Sequence, residues 1–181
     1  MSFPSVSRRL RRFVCALLAT LLSAAAAAQP ASQPVRPRPA QTFQDWILSC
    51  DTEATPCYVS QSASLKETGQ RVFRVVVGPL GAGGKPIVHL SVPLSIYLPA
   101  GVALKIDEGA QLKAEVQTCT PRGCEAMLDL DAALLKSLEG AKVSQVAFLD
   151  AVTRRQITMV VSMLGFRNAY AALKQQAAGS K

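Results

Sequence analysis

The stretch Cys119-Thr120-Pro121-Arg122-Gly123-Cys124 joins two runs that each read as a strand. Pro121 presets one turn dihedral, and Gly123 accepts a positive φ that a side chain would resist. Leu112–Gln117 alternates apolar and polar residues before the turn, and Glu125–Leu130 carries apolar residues after it. Together they predict a β-hairpin whose tip can be closed covalently. A closed tip requires an oxidising compartment and suits an all-β framework.

The N-terminus points to the same compartment. Arg8, Arg9, Arg11 and Arg12 precede an apolar run from Phe13 to Ser23, and Ala24–Ala28 supplies small residues. That is the three-part form of a secretory signal, with cleavage expected after Ala28. The apolar run to Ala28 has 16 residues, short of the roughly 20 that span a bilayer. These arginines supply four of the net eight positive charges, so much of the basicity belongs to the export segment. Residues 29–41 read QPASQPVRPRPAQ, and their four prolines forbid helix and predict an extended spacer. The folded domain is expected over 42–176, with a frayed tail over 177–181. At 181 residues the chain suits one domain rather than two.

Setting aside Cys15 in the export segment, four cysteines remain: Cys50, Cys57, Cys119 and Cys124. An even number in an exported chain points to disulfides, and four cysteines allow three pairings. Cys50–Cys57 and Cys119–Cys124 are favoured, because each pair flanks one predicted turn. The C-x6-C and C-x4-C spacings fit a zinc site poorly, and no C-x-x-C redox motif is present.

The domain reads as eight or nine short strands at turn spacings near ten residues, which argues for a β-sandwich. Phe43–Cys50 is predicted as one strand, with Trp46, Leu48 and Cys50 on one face. Asp131 is placed to cap a short helix carrying Leu134, Leu135 and Leu138, and Phe166–Gln176 reads as a second, C-terminal helix.

Candidates for chemistry are few. His89, the single histidine, lacks a nucleophile motif. Asp45, Asp51 and Glu53 gather near one turn, but nothing in the sequence aims two of them at one cleft. The Gly78–Pro86 loop fails the phosphate-loop pattern, with Pro79 and Pro86 where glycine and hydroxyl are needed. Arg71, Arg74, Arg154, Arg155 and Arg167 lack the interleaved aromatics of a nucleic-acid surface. No catalytic, cofactor or metal residue is assigned.

The ordered set Trp46…Cys50, Cys57, Gln61, Leu98-Pro-Ala-Gly-Val102 leading to Asp107, Cys119…Gly123-Cys124 with Ala126, and Ser162-Met-Leu-Gly-Phe166 before a last helix resembles the invasion-associated locus B family of exported Gram-negative bacterial proteins. The resemblance spans about residues 43–175. It implies an immunoglobulin-like β-sandwich in the periplasm or outer envelope, or secreted, and in pathogens an association with host-cell entry. It brings no established catalytic residues. The expectation is therefore a non-enzymatic envelope protein that binds a protein or an anionic surface polymer of the envelope or of a host cell. Peripheral membrane association is compatible with this; nucleic acid and cofactors are not expected, and oligomeric state is not legible. The competing expectation is a periplasmic enzyme or carbohydrate-binding module acting on an envelope component, through His89 or the Asp45/Asp51/Glu53 turn.

Overall fold

The computed structural model describes residues 39–50, 56–64 and 71–178. The segment expected to direct export, most of the expected spacer, Asp51, Glu53, the turn expected over Lys66–Gln70 and residues 179–181 lie outside the described residues. Ten strands follow in order: β1 (Gln41–Phe43), β2 (Trp46–Ser49), β3 (Tyr58–Ser64), β4 (Arg71–Gly78), β5 (Ile87–Val92), β6 (Val102–Ile106), β7 (Gln111–Thr120), β8 (Gly123–Asp129), β9 (Val143–Leu149) and β10 (Gln156–Ser162). Two α-helices accompany them, α1 (Ala132–Gly140) and α2 (Phe166–Ala178). The fold is all-β with a C-terminal helix.

The strands form one antiparallel strip in the order β1-β2-β3-β4-β5-β8-β7-β6-β9-β10. The strip folds over at β7, which changes partner midway. Residues 115–120 pair with β8, and residues 111–114 pair with β6. One layer is thus β1–β5 with β8, the other β6, β9 and β10. Val75, Val77 and Val88 of the first face Leu104, Val146 and Val161 of the second around one small internal space. All six are nearly inaccessible, and burying each such side chain contributes about 1.5–3 kcal/mol.

Two features close the sandwich on the side away from β7. Trp46 is 1% exposed and packs edge-on against Phe166 of α2, with ring centroids 4.8 Å apart. The α2 helix also rests on β1 and β3. Just before it, Gly165 has φ +88°, and a Cβ there would overlap the Phe43 carbonyl oxygen.

The structure departs from the sequence reading in two places and bears it out in a third. The strand expected over Phe43–Cys50 is a hairpin, because Gln44 takes φ +54° and turns the chain between Phe43 and Trp46. Apolar residues on both sides of it, Phe43 and Trp46–Leu48, let the segment read as one strand and hide the turn. The strand count is ten as a result. The last helix continues to Ala178, past Gln176, with Phe166, Ala169, Tyr170 and Leu173 buried along one face. In α1 the Asp131 side chain accepts a 2.7 Å hydrogen bond from the Leu134 N–H, as an N-cap should.

Candidate functional site

The four cysteines form Cys50–Cys57 and Cys119–Cys124. Cys119 and Cys124 are directly opposed at the tip of the β7–β8 hairpin. Gly123 has φ +136° there, and a Cβ would lie 2.5 Å from the Val92 carbonyl oxygen. All four sulfurs are in disulfides and unavailable as thiolate ligands. Among the described residues no group of three metal-binding side chains converges, and no helix is long and apolar enough to cross a membrane.

His89 lies on the outer face of the first layer, with Ser91 two residues along and Glu125 on β8. The His89 Nε2 is 2.8 Å from Glu125 Oε2, but misaligned, so the ring nitrogen makes no hydrogen bond. The Ser91 hydroxyl donates to the same carboxylate oxygen at 2.6 Å. Three residue types of a hydrolytic triad meet here in the wrong order. The base of a triad stands between nucleophile and acid, whereas here the carboxylate stands between the other two. Neighbouring polar groups on this face are likewise engaged. Arg74 donates to the hydroxyl of buried Ser60 at 3.3 Å and lies over the Tyr58 ring.

The other sequence candidates do not converge. Asp45 is exposed and serves the fold through its backbone, accepting from Gln61 Nε2 and donating to Leu164 O. The Gly78–Pro86 loop holds a short 3-10 turn, and Lys85 reaches Asp129 at 2.7 Å. Of the arginines, Arg74 is on β4, Arg154 and Arg155 are in the β9–β10 turn, and Arg167 donates from α2 to the Glu139 carbonyl. The side chain of Arg71 lies outside the described residues.

The feature that sequence reasoning missed is a groove of about 490 Å³ beside α1. Its cause is the fold at β7. Pairing between β7 and β8 stops at Glu115↔Met127, and the next two pairs in that register, Ala114 with Leu128 and Lys113 with Asp129, are not made. The two strands splay, and the gap is lined by exposed Leu112, half-buried Ile106 and Leu128 and the edge of buried Leu134, with Ala110 and Ala133 between them. Leu130 N donates to Pro86 O on the β5 side. By strand alternation, the backbone groups of Asp129 point the opposite way, into the split.

The polar side chains of the groove are already committed. Asp129 pairs with Lys85, Asp131 caps α1, and the Ser137 hydroxyl donates to Ala133 O at 3.0 Å. What remains for a visitor is apolar surface and a strand edge.

These features define a disulfide-braced β-sandwich with an apolar groove where two strands part. Residues 46–174 match the profile of the family described as invasion associated locus B (IalB) protein. Invasion protein B homologs from Brucella abortus strain 2308 and from biovar 1 strain 9-941 are each 32% identical over 128 residues, covering 70% of this chain and 73% of theirs. The chain belongs to the invasion associated locus B family. The crystal structure of invasion associated protein B from Bartonella henselae has the same fold, with a TM-score of 0.69 at 24% identity over 78% of this chain and 99% of that one.

Proposed function

We propose that this chain is an exported, non-enzymatic binding protein of the cell envelope whose partner is another protein, and that it serves host-cell invasion where its organism is a pathogen. Export is supported by the two disulfides, which persist in oxidising compartments. The binding role is carried by one observation: the β7–β8 split offers apolar side chains beside an unpaired strand edge, while its polar side chains are used elsewhere.

Such a site suits an extended protein segment. Backbone groups of the segment would bond the edge at Asp129, and alternate side chains would settle among Leu112, Leu128 and Leu134. An anionic polymer is disfavoured there, because the lining supplies two carboxylates and no cation. A hydrolytic role is disfavoured by the Ser91–Glu125–His89 order.

The test is binding of the labelled, disulfide-intact chain to outer membranes of its own organism and to host cells. Saturable binding that trypsin pretreatment of the target surface abolishes is the expected result. Binding that survives trypsin but is lost after polysaccharide-degrading enzymes would replace the protein partner with a polymer. Turnover of an envelope substrate that His89→Ala abolishes would restore the enzymatic reading.

A further inference from the structure

The two edges of the strip are finished differently. Exposed strand edges invite pairing with other chains, and folded proteins blunt them with short strands, charges, prolines or bulges. The β1 edge is three residues long. The β10 edge is seven residues long, reads Gln-Ile-Thr-Met-Val-Val-Ser with no charge and no proline, and runs beside β9 without a register shift.

The direction of its backbone groups can be assigned. Met163 N donates to Lys142 O, so the odd-numbered residues of β10 face β9 and the even-numbered ones face away. Ser162 shows what an outward position requires. Its N–H donates to Gln61 Oε1 at 3.1 Å, and its carbonyl accepts from Gln61 Nε2 at 3.0 Å and Trp46 Nε1 at 2.8 Å. Gln156, Thr158 and Val160 face the same way, with no strand beyond β10 among the described residues. Two apolar side chains stand open on the same strand, Val160 at 67% and Ile157 at 41% exposure.

We propose that this edge pairs with the same edge of a second copy of the chain, antiparallel about a two-fold axis at Thr158. The even-numbered positions dictate the register. Thr158 meets Thr158, Gln156 meets Val160, and the three free residues of each copy exchange backbone bonds only with each other. Ile157 comes opposite Met159 of the other copy, which covers part of its exposed surface. Arg154 and Arg155 fall opposite Ser162 and Val161, so no like charges face each other, an arrangement that would destabilise the pair. The chain's own spacer is a poor substitute, because prolines at 30, 34, 37 and 39 cannot donate to a ladder. One short strand pair buries less than a standard interface, so a weak dimer is expected, with a Kd on the order of 10–100 μM.

Sedimentation velocity on the disulfide-intact chain across that concentration range tests the pairing. The expected result is a reversible dimer. Thr158→Lys sets two lysines against each other and should raise its Kd at least tenfold, with an unchanged melting temperature. Val160→Pro removes one outward N–H without touching the β9 ladder and should act in the same direction. Thr158→Cys should form an interchain disulfide on oxidation, and Gln156→Cys should not. A chain that stays monomeric to 1 mM (about a hundredfold above the lower Kd) overturns the proposal. So does a dimer indifferent to Thr158→Lys, and so does an edge found occupied by a different protein or by residues 29–41.

Discussion

The two layers of the sandwich meet along two lines, and the lines are built in opposite ways. On one side, side chains substitute for missing strand pairing. The Gln61 amide reads both backbone groups of Ser162 as a neighbouring strand would, Trp46 adds a donor, and α2 covers the joint. On the other side, β7 carries the chain between layers, parts from β8, and nothing takes up the unmade Lys113–Asp129 pair. The first line is shut and structural; the second is the open groove. The contrast separates polar residues that hold the fold from a surface that can take a partner. On the outer face, away from both lines, the Glu125 carboxylate stands between Ser91 and His89.

Changes at the shut seam should cost most. Gly165→Ala combines a strained φ with overlap on the Phe43 carbonyl, and should destabilise by about 4 kcal/mol in chemical denaturation. A loss below about 1 kcal/mol would mean that β1 moves aside freely and that the seam is not held there. Gln61→Ala leaves the Ser162 N–H without its partner and should cost about 2 kcal/mol. Gln61→Glu keeps an acceptor and loses a donor, so it should fall between wild type and alanine.

At the open line the same kind of measurement should give little. Leu112 is 37% exposed on the groove wall, and Leu112→Lys should cost about 1 kcal/mol or less. A loss matching that of Gln61→Ala would show that the groove wall is core, and the contrast would collapse.

Smallest of all is a pH effect far from both lines. Hydrogen bonds from the Thr153 N–H and hydroxyl, then from the Val152 N–H, together with the nearby Arg154 charge, outweigh desolvation and hold the Asp150 carboxyl below its ordinary value of 3.8. A depressed carboxylate stabilises the fold above its unfolded-state pKa, and that contribution is lost as pH falls through the folded-state value. Asp150→Asn should therefore be the less stable chain near neutrality and converge with wild type in acid below pH 3.8. A gap that stays constant on acidification would assign the Asp150 contribution to geometry rather than charge.

Local features of the fold were legible because local chemistry determines them. The Cys119–Cys124 tip needs Gly123, the α1 start needs Asp131, and the buried faces of Trp46 and Leu48 follow strand alternation. What escaped the sequence depends on distant partners. Glu125 and Ser91 are 34 residues apart, and Gln61 and Ser162 are 101 apart. Gln61 stands out in the family resemblance without its clasp being visible. The groove has no motif at all, because it arises where β7 leaves one partner for another. Ser144 is a comparable case: a polar residue in a strand, 1% exposed, with its hydroxyl unbonded in the core.

The most direct measurement compares two altered chains in the saturable surface-binding assay. One is Leu112→Lys in the groove, and the other is His89→Ala with Glu125→Gln on the outer face. The account predicts that the groove variant binds at least tenfold more weakly at near-normal stability, while the outer-face variant binds as wild type does. Undiminished binding by Leu112→Lys together with loss in the outer-face variant would contradict it, and would move the functional surface from the strand split to the sheet.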